Sequence, residues 1–462
     1  MRFARCPVNG IGQGPESPPG RSVWPCANRM KSHIRFQWMI WLAGGVLLSP
    51  ASGQEILLHE GQTNALPETF VVPFAFYSGT LGPSIGASIG NRGFFQPQAS
   101  TFATIVGSAA GSVYGFLAVR DLEIPWTERL FVNGQLNLGR FNQIDIYSDG
   151  NPDYPETRAG SPDSDADDFL TGEGTDVKVW ALFGLVLPLG AGRDDPKSRL
   201  TLRDGIAVEG ARDTSVWNPF RSGYTLAGIK PFYRRQDADT DEIGDVESTT
   251  SGAEFLFRYE NTDFHENPSR GSVQQVRVTK DWGELDSTAP WETMDLTLTK
   301  YFSLGADRAS RQRVLALNLW WIDTPSWDEV EAQDGSLYRR PPSYAGATLG
   351  GTERMRGYPE GRFNDRSAVY YAAEYRHIPD WNPLRDSGWL NRRNARVQWL
   401  QYVVGVEVGR VADEFDLGEL HSDMKVCGIL GLRAMVNTLV VRADVGLSDE
   451  GAAVQMTIDH PF

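Results

Sequence analysis

Hydrophobic and polar residues alternate with a period of two along most of this chain. From about residue 69 onward, stretches of ~10 residues show the alternation, and clusters of Gly, Pro, Asp and Asn separate them. Clear apolar faces are Leu400, Tyr402, Val404, Val406 and Val408; Leu439, Val441, Ala443, Val445 and Leu447; Val454, Met456 and Ile458; and Phe255, Phe257 and Tyr259. About sixteen such segments and no sustained helical period predict an all-β protein.

The polar faces carry charges of both signs, namely Arg258, Arg277, Arg376, Arg442, Glu254, Asp295, Glu374, Glu407 and Asp444. A water-soluble sandwich would also alternate, but an ion-paired interior beneath an apolar exterior is typical of a membrane barrel. Tryptophans at segment ends fit aromatic girdles at the two interfaces: Trp282, Trp291, Trp320, Trp321, Trp381 and Trp399. The pattern predicts a transmembrane antiparallel β-barrel of about sixteen strands over residues 69–462.

The connections between segments differ in length, as expected of a barrel with short periplasmic turns and long external loops. The long ones are 149–176, 235–250, 323–366 and 380–395. The first contains Asp163, Asp165, Asp167 and Asp168, but Asp168 and Gly174 stand where a calcium loop requires Gly and Glu. We therefore expect a solvated loop, or one bridged to lipopolysaccharide by divalent cations, and no dedicated metal site.

The N-terminal region predicts export through a cleaved signal peptide. Lys31 and Arg35 precede an apolar run from Trp38 to Leu48, and small residues follow as far as Gly53. As a helix the run would cover only ~17 Å, too short for a bilayer core of ~30 Å. We assign 1–29 to an upstream extension, 30–53 to the signal peptide and 54–68 to a short periplasmic segment. The predicted location is the outer membrane of a Gram-negative cell.

Charge and composition limit the kinds of molecule that this protein is expected to bind. The 462 residues carry a net charge of −15 and have a mean hydropathy of −0.34. Residues 1–53 hold six basic residues and one acidic residue, so the remainder has a net charge of −20. This acidity argues against nucleic-acid binding, which needs basic residues to displace counterions. Only Cys427 follows residue 53, so no internal disulfide is expected, and no motif indicates a cofactor.

Residues 349–376 hold the most specific motif. Met355-Arg356-Gly357-Tyr358 follows Gly350-Gly351, and this run resembles the sixth external loop of the Omp85 superfamily, the BamA/TamA-type or surface antigen D15 barrels. The hallmark there is Val/Ile-Arg-Gly-Phe/Tyr, from which Met355 departs. Similar stretches recur at 71–88, 266–272, 372–379, 404–413 and 442–448, so the resemblance covers almost all of the chain after the signal.

The resemblance implies that this loop folds back into the lumen and that Arg356 pairs with acidic residues on the next two strands. The matching residues are Glu374 and Glu407, and the alternation independently places both on the lumen face. Gly357 is expected to allow a sharp backbone turn, and Tyr358 to pack on the lumen wall. Phe462, at two-residue steps after Ile458, resembles the terminal aromatic that the barrel assembly machinery reads, although His460 replaces a more usual apolar residue.

Function is expected from the same resemblance. Omp85-type barrels insert or translocate polypeptide or lipid, but their periplasmic POTRA modules of ~75–80 residues do not fit into the fifteen or so residues before the first strand. A separate periplasmic partner is therefore expected, with a passive pore or a structural surface barrel as the alternative. Gly86-Ala87-Ser88-Ile89-Gly90 matches a hydrolase motif but lacks a helical continuation, so no enzyme is expected.

Overall fold

The computed structural model describes residues 59–61, 68–78, 81–93, 95–209, 214–327, 339–437 and 439–462. The predicted upstream extension (1–29) and signal peptide (30–53) lie outside these residues. So does most of the predicted periplasmic segment, apart from residues 59–61 and 68.

The described residues form a sheet of sixteen strands in chain order, each antiparallel to its neighbours. We number these strands β1 to β16 and leave the short elements outside the sheet unnumbered. The strands are β1 Glu68–Ser78, β2 Gly82–Arg92, β3 Ser100–Ser108, β4 Val113–Glu123, β5 Leu130–Ile146, β6 Leu170–Val186, β7 Tyr224–Thr240, β8 Gly244–Glu260, β9 Gly271–Asp281, β10 Trp291–Ser303, β11 Ser310–Asp323, β12 Ser367–Pro379, β13 Val397–Ala412, β14 Lys425–Val436, β15 Leu439–Ser448 and β16 Gly451–Ile458.

Smaller elements lie in the connections. Short strands are His59–Gly61, Ser198–Arg203, Ile206–Glu209, Ala347–Leu349 and Phe363–Asp365, and single-turn helices are Gly190–Arg193, Gly388–Asn391 and Leu417–Leu420. No helix in the described ranges is long and apolar enough to span a membrane.

The sheet is apolar on one face and polar on the other. On β13, Tyr402, Val404 and Val406 are 43–57% exposed, whereas Gln401 and Glu407 are buried. The same alternation recurs on the other strands, where Ile105, Phe257 and Leu430 are more than half exposed. An apolar exterior around a polar, packed interior is the arrangement of a transmembrane barrel, as the sequence predicts.

The predicted lumen charges are paired inside the barrel. Arg277 lies between Asp295, at 2.7 Å, and Glu254, at 3.2 Å. Arg258 contacts Glu260 at 2.8 Å. Because Arg277 and Arg258 each have a carboxylate within reach, this part of the interior can be both charged and closely packed.

Side chains join the two ends of the sheet. Ile458 of β16 packs in one cluster with Phe102 of β3 and Phe116 of β4. Beside this cluster, Arg120 of β4 forms a salt bridge of 2.6 Å with Asp459. Phe70 of β1 packs against the same cluster, so side chains link the first strands of the sheet to the last one.

The connections alternate between the two ends of the barrel. We call the end where β1 begins and β16 finishes the terminal end, and the other the loop end. The connections 147–169 and 324–366 lie at the loop end, but 187–223 and 380–396 lie at the terminal end. The prediction that the long connections are all external is therefore wrong for 380–395, and no pattern in the sequence pointed to 187–223.

The predicted loop 235–250 is also wrong, because β7 continues to Thr240 and β8 starts at Gly244. Strands β5 to β8 have 17 residues each, or ~56 Å at 3.3 Å per residue. An apolar band of ~25 Å covers only part of that length. The polar ends of these strands stand outside the band, so their sequence resembles that of a loop.

Half of the predicted girdle tryptophans face the lumen instead of the interface. Trp291, Trp320 and Trp399 are at most 4% exposed and belong to the inward-facing positions of their strands. Trp282 and Trp381, at 49% and 64% exposed, keep the predicted surface position. The prediction used position along a segment and ignored which face of the strand each tryptophan occupies.

Candidate functional site in the barrel lumen

The inserted segment, residues 347–365, begins and ends as a small hairpin. Ala347–Leu349 pairs antiparallel with Phe363–Asp365. Gly350 and Gly351 follow with φ of 107° and 97°, which L side chains rarely adopt. The Gly351 amide donates to the Tyr358 carbonyl at 3.1 Å, and the tip of the segment lies between these two residues. The hairpin thus fixes a compact tip that projects Arg356.

Arg356 is fully buried and contacts three carboxylates. Its Nε donates to Glu407 at 2.7 Å, its Nη2 donates to Glu374 at 2.6 Å, and its Nη1 donates to Asp444. The backbone N–H of Arg356 donates to the second Glu407 oxygen at 2.7 Å. We call Arg356 with these three carboxylates the Arg356 clasp. It ties the inserted segment to strands β12, β13 and β15.

Other cations complete the network around the clasp. Arg433 and Arg376 bind Glu374 at 2.7 and 2.8 Å, and Arg442 binds Asp444 at 3.3 Å. The Tyr370 hydroxyl donates to Glu407 at 2.7 Å. Four guanidinium groups thus surround three carboxylates, all buried.

The electrostatic balance favours a permanently charged Arg356. Burial alone would lower the pKa of its guanidinium, but Glu407, Asp444 and Glu374 outweigh burial and raise that pKa well above its usual value. A charge held in this way cannot be removed without leaving carboxylates uncompensated.

Gly357 and Tyr358 directly follow Arg356, and the structure places both as expected. Tyr358 is fully buried among lumen residues, and its hydroxyl donates to Asp449 at 2.6 Å. The backbone turns sharply at Gly357, as expected, because the Tyr358 amide donates to the Met355 carbonyl at 3.0 Å; the positive φ of 53° falls on Met355. The glycine is needed for space, because a Cβ at Gly357 would lie 2.7 Å from the Cβ of Cys427.

A second set of polar contacts ties the inserted segment to the acidic connection 147–169 and to the turn between β15 and β16. Arg362 binds Glu450 at 2.8 Å and donates to the Ser164 hydroxyl at 2.8 Å. Arg158 binds Asp365 at 2.6 Å. These contacts cover the inserted segment at the loop end of the barrel.

Phe462 does not continue the last strand, contrary to the prediction. Strand β16 ends at Ile458, and Asp459 takes a φ of 66°. The Phe462 ring then lies 5.2 Å from the Arg376 guanidinium and packs against inward-facing residues. The neighbouring His460 accepts from Arg433 at 2.6 Å in place of a packed apolar residue. A role of Phe462 as assembly signal stays a prediction.

A hairpin from the connection 187–223 closes the terminal end. Its strands, Ser198–Arg203 and Ile206–Glu209, pack against the inward-facing Ile378, Trp399 and Met435. The Trp399 indole donates to the Gly205 carbonyl at 3.0 Å. Residues 59–61 add to the hairpin as a parallel strand. Chain therefore fills the lumen from both ends.

Residues of two other candidate motifs, the one around Ser88 and the aspartate cluster, form ordinary hydrogen bonds. The Ser88 hydroxyl, in the middle of β2, pairs with Thr104 at 2.5 Å. In the aspartate cluster, Asp165 accepts from the Asp167 amide at 3.0 Å, and Asp168 is buried beside Thr157. Within the described ranges, no group of three or more His, Cys, Asp or Glu side chains is arranged to hold a metal ion.

The sequence placed Arg356, Glu374 and Glu407 together, and the structure brings all three into contact. It did not single out Asp444 as the third carboxylate or Arg433 as a cation of the network. Alternation placed Asp444 on the lumen face, but strand order alone does not define the height of a residue in the barrel. Gly431 leaves room for the Asp444 side chain, because a Cβ at Gly431 would lie 2.4 Å from it.

No protein-family model and no curated protein matches this sequence. Similar solved structures include BamA from Haemophilus ducreyi lacking POTRA domains 1–3, at 12% identity and a TM-score of 0.43, covering 85% of this chain and 69% of that one. CdiB from Escherichia coli is 11% identical with a TM-score of 0.49, and CdiB from Acinetobacter baumannii 12% with 0.43. Each CdiB comparison covers 85% of this chain. It covers 62% of CdiB from Escherichia coli and 59% of CdiB from Acinetobacter baumannii.

At these low identities the likeness concerns the fold alone. The strands and lumen contacts of this chain are properties of its own residues.

Proposed function

We propose that this protein is an Omp85-type barrel of the Gram-negative outer membrane that inserts or translocates polypeptide or lipid. Export would use a cleaved signal peptide, and the barrel would be inserted by the assembly machinery. It would lie among outer-membrane lipid and lipopolysaccharide, and a separate periplasmic protein would deliver the substrate.

The Arg356 clasp is the observation that carries this proposal. A buried ionic network contributes little net stability, because desolvation offsets much of the Coulomb attraction, but it defines one position for the groups it joins. A passive pore needs no such device in its lumen. A barrel whose strands β12 to β15 must hold a fixed arrangement around the inserted segment does need one.

Reconstitution tests the proposal directly. The full chain would be placed in liposomes, and a small urea-unfolded outer-membrane barrel would be added from outside. We expect its folding, followed by heat-modifiable mobility, to be faster than in protein-free liposomes. Arg356→Ala should remove most of that acceleration, whereas the control Arg393→Ala, in a turn where the side chain stacks on Trp389, should keep it.

The alternative predicts a different result. A passive pore or structural surface barrel would not accelerate folding, and a pore would in addition conduct steadily without mutation. Folding no faster than in empty liposomes, together with steady wild-type conductance, would replace the proposal by this alternative.

A further inference from the structure

We infer that the lumen holds a binding site for a phosphate-type oxyanion, on the wall formed by strands β6 to β11. A cavity of about 150 Å³ lies between strands β6 to β11 and the inserted segment. Its wall includes Lys178, Trp180, Lys230, Arg234 and Trp320. One water needs ~10–15 Å³, so the space suffices for a ligand of several heavy atoms.

Four of the five cations on the cavity wall are paired with a carboxylate. Lys230 is bound to Glu254 at 3.2 Å, Arg234 to Asp176 at 2.6 Å, Arg277 to Asp295 at 2.7 Å and Arg354 to Glu353 at 3.8 Å. The fifth cation is Lys178. Throughout the described part of the chain, no side chain forms a salt bridge or hydrogen bond with its ammonium group. The carboxylates of Asp176, Glu353 and Glu360 act on Lys178 from beyond salt-bridge distance.

Two indole N–H groups on the cavity wall also lack acceptors. The Nε1 atoms of Trp180 and Trp320 are buried, and neither has a hydrogen-bond partner among the described residues. Trp320 is only 2% exposed. Burying a donor without an acceptor costs free energy. A ligand that supplies the missing oxygen forms the hydrogen bond and removes that cost.

The unused groups determine the chemistry of the ligand. Indole N–H and ammonium groups can only donate, so the complementary ligand offers acceptors and negative charge. The donors come from β6 on one side and β11 on the other. A phosphoryl group, with three or four oxygens directed apart, can meet donors on both sides, whereas the two oxygens of a carboxylate lie close together.

Aromatic rings hold the surrounding cations in place. The Lys230 ammonium lies 4.7 Å from the Trp180 ring, the Arg354 guanidinium 3.9 Å from the Trp320 ring, and the Arg234 guanidinium 4.1 Å from the Tyr344 ring. The cations are thus fixed before a ligand arrives, which reduces the entropic cost of binding. Such a ligand would bind whether or not the barrel inserts or translocates a substrate.

Titration calorimetry tests the site with the full chain in detergent. Inorganic phosphate is one arm, and micelles doped with phosphatidic acid, against phosphatidylcholine, are the other. We expect saturable binding of one phosphate-type group per barrel in at least one arm. Lys178→Met and Trp320→Phe should each weaken it about tenfold, since each removes one donor to an anion.

A matched control is Lys280→Met, because Lys280 is half-exposed, paired with Glu292 at 2.9 Å, and absent from the cavity wall. It should bind as the wild type does. Binding of free phosphate identifies a solute as the ligand source, and binding of phosphatidic acid alone identifies a lipid headgroup. No saturable binding in either arm overturns the inference. So does wild-type affinity in both Lys178→Met and Trp320→Phe when their heat-modifiable mobility shows that they are folded.

Discussion

Glu407 depends on Arg356 more than the other two carboxylates of the clasp do. Among the described residues, Arg356 is the only cation within salt-bridge distance of Glu407. Glu374 keeps Arg376 and Arg433 if Arg356 is removed. Leaving a buried carboxylate without any cation costs much folding free energy. A carboxylate that keeps two other cations loses far less.

We therefore predict that Arg356→Met destabilises the barrel by ~3–5 kcal/mol and that Glu407→Gln in the same chain recovers at least half of the loss. The second substitution neutralises the charge that the first one leaves unpaired. The measurement is equilibrium unfolding by guanidinium chloride in detergent micelles.

Glu374→Gln is the matched control for this rescue. It leaves Arg376 and Arg433 without their shared carboxylate, so combining it with Arg356→Met should give no recovery. Equal rescue by both glutamines would contradict the assignment of Glu407 as the dependent partner.

His460 provides a prediction on pH. Burial, and then Arg376 and Arg433, lower the pKa of its imidazole well below the usual value of 6.5, so the folded ring stays neutral. The unfolded ring takes up a proton below pH 6.5. Stability from the neutral ring is thus present above that pH and falls by up to ~1.4 kcal/mol per unit below it. His460→Phe should weaken the loss of stability between pH 7 and pH 5, measured by thermal unfolding, whereas His421→Gln should leave it unchanged.

At the scale of elements, strand β15 contacts the inserted segment through a glycine. A Cβ at Gly446 would lie 2.3 Å from the Arg356 carbonyl oxygen. Backbone is on both sides of this contact, so neither partner can move aside as a flexible side chain would.

Gly446→Ala should therefore cost about 1–3 kcal/mol and displace the inserted segment. Limited trypsin digestion should then cleave at Arg354 or Arg356, which are protected in the wild type. The control is Gly428→Ala on β14, where a Cβ would meet nothing within 4 Å. Protection that persists in Gly446→Ala would show that the segment does not rely on this contact.

The elements also show what alternation can predict. It identifies strands, faces and their number, because burial repeats every second residue wherever one side meets lipid. It failed at 235–250, where β7 and β8 extend beyond the apolar band, and at Phe462, where the chain turns inward after Ile458. The Arg356 site was found by its resemblance to a family motif. The hairpin 198–209 carries no such motif, and its contacts with the lumen wall are purely tertiary.

For the whole molecule, two obstructions lie in series along one lumen. The inserted segment fills the loop end, and the hairpin 198–209 fills the terminal end against Trp399 and Met435. Resistances in series add, so removing one obstruction leaves the other in control of ion flow.

We predict low single-channel conductance in planar bilayers for the wild type and a modest increase for Arg356→Ala. Replacing 198–209 with a short glycine linker should also give a modest increase. The combined variant should conduct several times better than either. Equal conductance of Arg356→Ala and the combined variant would show that the hairpin does not obstruct the channel.

The ties between the connection 147–169 and the inserted segment have a mechanical consequence. Arg362, which donates a hydrogen bond to Ser164, lies only a few residues from Arg356. Arg158 of the same connection forms a salt bridge with Asp365. Displacing the connection 147–169 would therefore load both contacts at once. Because the inserted segment carries both contacts as well as Arg356, a movement of this connection would pass along its backbone to the buried guanidinium.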